Sequence, residues 1–287
     1  MDDYLKSLLL GVVEGLTEFL PVSSTAHLRL CEHVLGIDLE SPYWKMYSVV
    51  IQLGAILAVL VYFWRRILAF AATFPSGRRG DRTIINHPLS LTLFAFVLTA
   101  IPSFLLRKAI DQHLESVILL AGALIVGGLL MWIIDVVCRH PRTLDMEEMS
   151  AAQAAWIGLA QTLSAVFPGL SRSMVTIATG QLTGMSRSSA LEFSFFLSLP
   201  TMIAATGFKL VQGVAHAAAT QPATAGEPSL ADAHGWIVLG IGFSVSFVVA
   251  LGVIAWFMQW VRKHGFLPFA VYRIAVGAAV LLLIKNP

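Results

Sequence analysis

Residues 11–28 read GVVEGLTEFLPVSSTAHL. The stretch sets Glu14, Glu18, the hydroxyl run Ser23-Ser24-Thr25 and His27 into a segment otherwise apolar enough for a membrane, where ionisable groups are expensive unless they serve a site. Glu14 and Glu18 are four residues apart, so a helix stacks them on one face. Two carboxylates that close favour a bound cation or a shared proton. Pro21 removes a backbone donor and ends that helix, and Ser23, Ser24 and Thr25 are residue types that begin the next one. The break aims a helix N-terminus, suited to phosphate, at the carboxylates.

The rest of the chain is built for the same solvent. Of its 287 residues, 57% are hydrophobic and 13% charged, with a mean hydropathy of +0.77, more apolar side chain than one water-soluble core can hide. The expected class is an all-α integral membrane protein forming a single membrane domain. A net charge of +2, with no basic run interleaved with aromatic residues, argues against nucleic acid as a partner. The opening MDDYLKSLLL lacks a basic n-region and a small-residue cleavage site, so no leader removal is expected. Cys31 and Cys138 fall in different expected segments without metal-type spacing and are expected to be packed, unpaired thiols.

Stretches of about twenty apolar residues cross a bilayer, whereas runs of about ten to fourteen re-enter or stay buried. Residues 4–20 and 23–35 are expected to form a helix-break-helix pair that enters and leaves on one side, and residues 151–167 and 173–182 a second such pair. About six full spans are expected, at residues 46–64, 89–106, 117–137, 190–211, 236–260 and 267–284. A constant offset of 147 residues aligns Gly11 with Gly158, Leu16 with Leu163, Pro21 with Pro168 and Ser24 with Ser171. Three spans separate the two pairs, so the pattern is that of an inverted-topology internal repeat, about residues 1–137 and 151–287, whose breaks meet near the midplane.

Loop charge gives an orientation. Arg65, Arg66, Arg78, Arg79, Arg82, Arg139, Arg142, Arg187, Arg262 and Lys263 fall in one set of loops, expected to be cytoplasmic. The opposite set carries Lys45, Arg107 and Lys108 with acidic Asp38, Glu40, Glu227 and Asp232. Both termini and the Glu14 side of the site are then expected to face the periplasm of a bacterial inner membrane. Residues 215–230 read as an exposed outer loop without chemistry.

The opening stretch resembles the first signature of the undecaprenyl-diphosphate phosphatase family, the bacitracin-resistance type of polyprenyl-diphosphate phosphatase. The likeness continues through VVIQLGAILAV at residues 49–59, PGLSRSMVT at 168–176, GMSRSSALEFSF at 184–195 and FLPFAVYR at 266–273. Two positions depart from the family pattern, Ala26 and Met174, where glycine is expected; bulk there is expected to crowd a backbone that approaches phosphate. The resemblance implies the same inverted arrangement, a polyprenyl-diphosphate lipid as substrate, and a role in recycling the carrier lipid for peptidoglycan precursors. It also implies function for both Glu14 and Glu18.

Arg172 lies just past the Pro168-Gly169 break between Ser171 and Ser173, a forked donor set matched to phosphate oxygens at a helix start. Glu14 and Glu18 are the expected ligands of a divalent cation, Mg²⁺ or Ca²⁺, that arrives with the diphosphate. Ser24 is the candidate nucleophile, with metal-bound water as the rival, and His27, one turn on, the candidate proton carrier. Ser23 and Thr25 join the phosphate-binding set, while Gln52, Glu192 and Ser194 resemble family positions expected to orient Arg172 and His27. Three readings stay open: a membrane phosphatase, a transporter or flippase of a phosphorylated polyprenyl lipid with the same inverted architecture, and a low-activity paralogue silenced by Ala26 and Met174. Nothing in the sequence opposes a homodimer.

Overall fold

The computed structural model describes residues 2–38, 41–78, 80–107, 116–217, 228–229 and 232–285. The helices are, in chain order, α1 Asp3–Thr17, α2 Ser24–Val34, α3 Pro42–Thr73, α4 Pro88–Leu105, α5 Val117–Val137, α6 Ala151–Val166, α7 Arg172–Leu182, α8 Arg187–Ala217, α9 Ala233–Lys263 and α10 Leu267–Lys285. Hydrocarbon offers no partner for a backbone N–H or C=O, so a chain of this composition satisfies them inside helices. Among the described residues five helices, α3, α4, α5, α8 and α9, are long and apolar enough to cross a membrane, and the last expected span is a shorter apolar helix at Leu267–Leu283. Leu93, Ile101, Phe104, Ile118, Ile133 and Val248 are each more than half exposed. Such a surface would drive association in water but is the solvated face in lipid. The protein is an all-α, multi-pass membrane protein. Helix α3 runs past residue 64 to Thr73 because Arg65 and Arg66 favour helix as well as the apolar residues before them.

The helices on either side of both breaks are present. Helices α2 and α7 are each 11 residues long and begin at Ser24 and Arg172, an offset of 148 rather than 147. The second break has one residue more after its proline, Gly169-Leu170 against Val22 alone. This corrects the expected equivalence of Ser24 with Ser171. The left-handed serines that lead into the two helices are Ser23 (φ 74°) and Ser171 (φ 69°), which makes Ser24 the counterpart of Arg172 and Ala26 that of Met174. Most of the outer loop expected at 215–230 lies outside the described residues, as do Arg79, Lys108, Glu40 and Glu227 of the orientation charges.

Two compact units interleave along the chain. One comprises Met1–Phe19, Ser24–Tyr62 and Leu199–Ala255. Its core gathers Leu10 of α1, Leu28 of α2, Tyr43, Trp44, Tyr47 and Ile51 of α3, and Val238 and Leu239 of α9. Helix α1 meets α9 through small residues: a Cβ on Gly11 would lie 2.8 Å from the Gly242 carbonyl oxygen, and one on Gly15 2.8 Å from that of Ser246. Small residues one turn apart let two backbones approach this closely. The Ser7 hydroxyl donates to the Val238 carbonyl at 2.6 Å, and Tyr47 donates to the Ser7 carbonyl at 2.8 Å. These contacts fix the rotation of α1 and therefore where Glu14 and Glu18 point.

The other unit comprises Leu20–Ser23, Phe63–Ser198 and Trp256–Pro287. It pairs α5 with α10 and α4 with α6, and sets α7 against both α5 and α6. Gly158 of α6 admits the α4 backbone, since a Cβ there would come within 2.4 Å of the Ala95 carbonyl oxygen; Thr99 donates to the Gly158 carbonyl at 2.7 Å. At its polar edge Asp135 accepts from Arg187 at 2.6 Å and from the Phe266 N–H at 3.0 Å. His87 caps α4, its Nδ1 accepting the Leu89 N–H at 3.2 Å.

Replacing Gly15 by alanine is expected to overpack the α1–α9 contact and lower unfolding stability by about 1–3 kcal/mol, read as a lower midpoint in detergent. A second expectation concerns acid. Burial holds the His87 imidazole below its ordinary pKa, with Glu147 opposing and Arg82 adding to the effect. A depressed folded pKa means that this stability is present above the ordinary imidazole value and is lost as pH falls through it. The unfolding midpoint should fall below about pH 6.5, and His87→Asn, which caps without titrating, should flatten that fall.

Candidate functional site

The first break begins at Glu18, whose N–H still bonds to the Glu14 carbonyl at 2.9 Å, so the two side chains sit one helical turn apart. Glu14 is fully buried and Glu18 half-buried. Beyond the break, the Ser24 hydroxyl donates to Oε2 of Glu18. A serine whose proton faces a carboxylate is the arrangement of a nucleophile with its base. His27 follows one turn later on α2 and is half-buried; Thr25 is exposed. Ala26 is fully buried, so its methyl group packs into the protein.

The second break is anchored by its own hydroxyls. Ser171 is the N-cap of α7, accepting the Met174 N–H at 3.4 Å, and its hydroxyl pairs with that of Ser173 at 3.0 Å. Ser173 in turn donates to the Leu20 carbonyl at 3.0 Å. This bond joins the second break to the link Leu20–Ser23, which leads from the first carboxylate pair into α2. Arg172 Nη1 donates to the Ser194 carbonyl at 3.5 Å, and the Ser194 hydroxyl pairs with Thr176 at 2.7 Å. Thr176 also donates to the Arg172 carbonyl at 3.0 Å. A helix start carrying a guanidinium and three hydroxyls is suited to an anion with several oxygens. Ser23 and Ser171 hold φ values of 74° and 69°, a region that costs a residue with a side chain about 1–2 kcal/mol and persists where the surroundings over-determine it.

Ser194 therefore stands beside Arg172, which bonds to its backbone carbonyl. Glu192 does not share that setting: it accepts from Arg66 at 3.0 Å, in a cluster where Arg66 also holds Asp145 at 2.9 Å and Glu147 at 3.0 Å. Two residues along α8 turn their side chains about 200° apart, so nearness in sequence did not carry nearness in space. Gln52 is half-buried on α3. Met174 is 2% exposed, and its methyl carbon lies 2.8 Å from where a Cβ on Gly127 would be. The bulk expected to crowd the phosphate path is absorbed by a glycine on α5.

One residue of the site's framework had no role in the sequence reading. Arg273 of α10 is fully buried and donates from Nη1 to the Pro21 carbonyl at 3.0 Å. Its Nη2 donates to the carbonyls of Ala123 at 3.2 Å, Gly169 at 3.0 Å and Leu170 at 3.1 Å. The available signal was an arginine inside an apolar segment, which needs an internal partner wherever it occurs.

Among the described residues no group of three or more His, Cys, Asp or Glu is arranged to hold a metal ion. Glu14 and Glu18 offer two carboxylates, at most four hard oxygens, short of the roughly six to eight oxygens taken by Mg²⁺ or Ca²⁺. The donor chemistry fits a cation that completes its shell with phosphate and water rather than one caged by protein.

The bacitracin resistance protein BacA family profile matches residues 7–279. An undecaprenyl-diphosphatase of Koribacter versatilis is 60% identical over 98% of both chains. Proteins of the same name from Caldanaerobacter subterraneus and Thermus thermophilus are 40% and 41% identical, covering 100% and 95% of this chain and 98% and 94% of their own.

Gly169 tests the geometry of the second break. With φ at 93° and a Cβ that would sit 2.5 Å from the Leu120 carbonyl oxygen, Gly169→Ala is strained in both backbone and space. A stability loss of about 2 kcal/mol or more is expected in detergent unfolding.

Proposed function

The chain belongs to the bacitracin resistance protein BacA family, and on that premise we propose that it hydrolyses undecaprenyl diphosphate to undecaprenyl phosphate and inorganic phosphate. The observation that carries this reading is the Ser24–Glu18 hydrogen bond across the first break. It couples a nucleophile to a proton acceptor at a helix start, the setting phosphoryl transfer requires. Removal of the diphosphate form returns the carrier lipid to cell-wall synthesis and confers bacitracin resistance.

In this scheme Arg172, Ser171 and Ser173, with Ser23 and Thr25, bind the phosphate oxygens, and Ser24 Oγ attacks the terminal phosphorus. Glu18 takes the hydroxyl proton as Oγ bonds to phosphorus. The bridging P–O bond breaks, and the lipid monophosphate leaves with a proton from His27. Water then attacks the phosphoserine, giving a proton to His27, and phosphate is freed as the P–Oγ bond breaks and Glu18 returns its proton to Oγ. The rival route, attack by water on the terminal phosphorus without a covalent stage, uses the same binding groups. Glu14 and Glu18 are the residues that would hold a divalent cation, and such an ion would neutralise diphosphate charge. Loop charge supports a plasma-membrane orientation in which the Glu14 side is reached from the periplasm.

The test is phosphate release from undecaprenyl diphosphate by the detergent-purified chain, with and without Mg²⁺ or Ca²⁺. Release is expected to stop on chelation and to fall at least about 100-fold in Glu18→Ala and Arg172→Ala. Folded protein that binds the lipid and frees no phosphate would sink the reading and leave a lipid carrier. Trapping of a phosphoserine that Ser24→Ala abolishes separates the covalent route from direct attack by water.

A further inference from the structure

Arg273 places a charge in the middle of the apolar helix α10 at the junction of the two breaks. Its guanidinium is fully buried, and among the described residues no carboxylate pairs with it. A buried cation without a counter-ion is expensive, and here carbonyl dipoles stand in for one. The carbonyls chosen are informative. Pro21 lies two residues before the left-handed Ser23, and the Leu170 carbonyl belongs to the peptide that enters the left-handed Ser171. Gly169 adds its carbonyl from the same turn, and Ala123 ties the group to α5. The fork thus spans the entrances to both serine turns.

The pocket for this fork is made by absence. A Cβ on Gly127 would lie 2.3 Å from Arg273 Nη2 and 3.1 Å from its Cζ, so the guanidinium fits because α5 carries glycine there. The Nε stays without a hydrogen-bond partner in this packing. If the need were only to satisfy the break carbonyls, a neutral amide could serve without burying a charge. A planar fork reaching several acceptors at fixed angles sets their orientation as well.

We propose that Arg273 is a positioning residue for the phosphatase chemistry: it sets the two left-handed serine turns, at Ser23 and Ser171, from behind and so fixes the orientation of each helix start that follows. The inference rests on the phosphatase reading. Arg273 touches no reacting atom in this scheme, and its effect belongs in turnover rather than in affinity. A shift of about 1 Å in such a constellation lowers rates by about 100-fold.

The experiment uses the full-length chain in detergent, with undecaprenyl diphosphate as substrate and wild type alongside Arg273→Lys and Gly127→Ala. Lysine keeps the charge and loses the fork; alanine at 127 keeps the arginine and displaces it. We expect kcat to fall about 100-fold in Arg273→Lys and about 10-fold in Gly127→Ala, with KM within about threefold of wild type. Turnover within threefold of wild type in both variants would overturn the proposal, as would losses no larger than the loss of folded protein. Should Arg273→Lys fail to fold, the Gly127→Ala ratio decides alone. Amide hydrogen exchange at residues 22–26 and 171–175 gives a readout independent of activity. Faster exchange confined to those two segments in Gly127→Ala supports the clamp, and unchanged exchange overturns it, even if wild type releases no phosphate and the phosphatase reading itself falls.

Discussion

A helix interrupted inside hydrocarbon exposes carbonyl and amide groups that no lipid can satisfy, and the structure is arranged around answering that demand twice. At the first break the Pro21 carbonyl is taken by Arg273 and the Leu20 carbonyl by Ser173. At the second, Gly169 and Leu170 are taken by the same arginine and the Met174 N–H by Ser171. What protects the backbone is also what a phosphate needs: helix starts, hydroxyls and guanidinium groups whose orientation is set before a ligand arrives. Functional groups and the satisfaction of the breaks are therefore inseparable in this fold.

Close backbone approach is the second constraint. Gly11 and Gly15 let α1 lie against α9, and Gly158 lets α6 lie against α4, with hydroxyls of Ser7 and Thr99 bonding across to carbonyls. In lipid, apolar contact between helices is little better than contact with the solvent, so short-range packing and polar cross-links carry the association. The helices that bear Glu14, Glu18 and the second break are thereby held at defined rotations. Ionic pairs are used more sparingly and at the polar ends, where Arg66 gathers Asp145, Glu147 and Glu192 and Arg187 holds Asp135.

The residues that mark the site were legible because each is anomalous for its surroundings. Glu14, Glu18 and Arg172 are charges in apolar segments, and Pro21 and Pro168 interrupt stretches that would otherwise continue as helix. The alignment of the two breaks was legible only to within one residue. Proline and serine recur in both, but the extra Gly169 shifts the serine that adopts φ > 0 from the position of Ser24 to that of Ser23, and dihedral angles are not written in residue type. Arg273 was passed over because it stands 252 residues from Pro21 of the first break and 104 from Gly169 of the second, in a largely apolar segment.

By itself the sequence determined the solvent of the protein, the presence of interrupted helices and the chemical types gathered there, because hydropathy and helix-breaking act locally along the chain. Tertiary structure decided which groups meet. It paired Ser24 with Glu18, turned Glu192 towards Arg66, lodged Met174 against Gly127 and brought Arg273 under both breaks. Those outcomes depend on rotations of one helix against another through backbone contacts of a few ångströms. Local composition is blind to them, since a 100° step along a helix changes the partner without changing the residue.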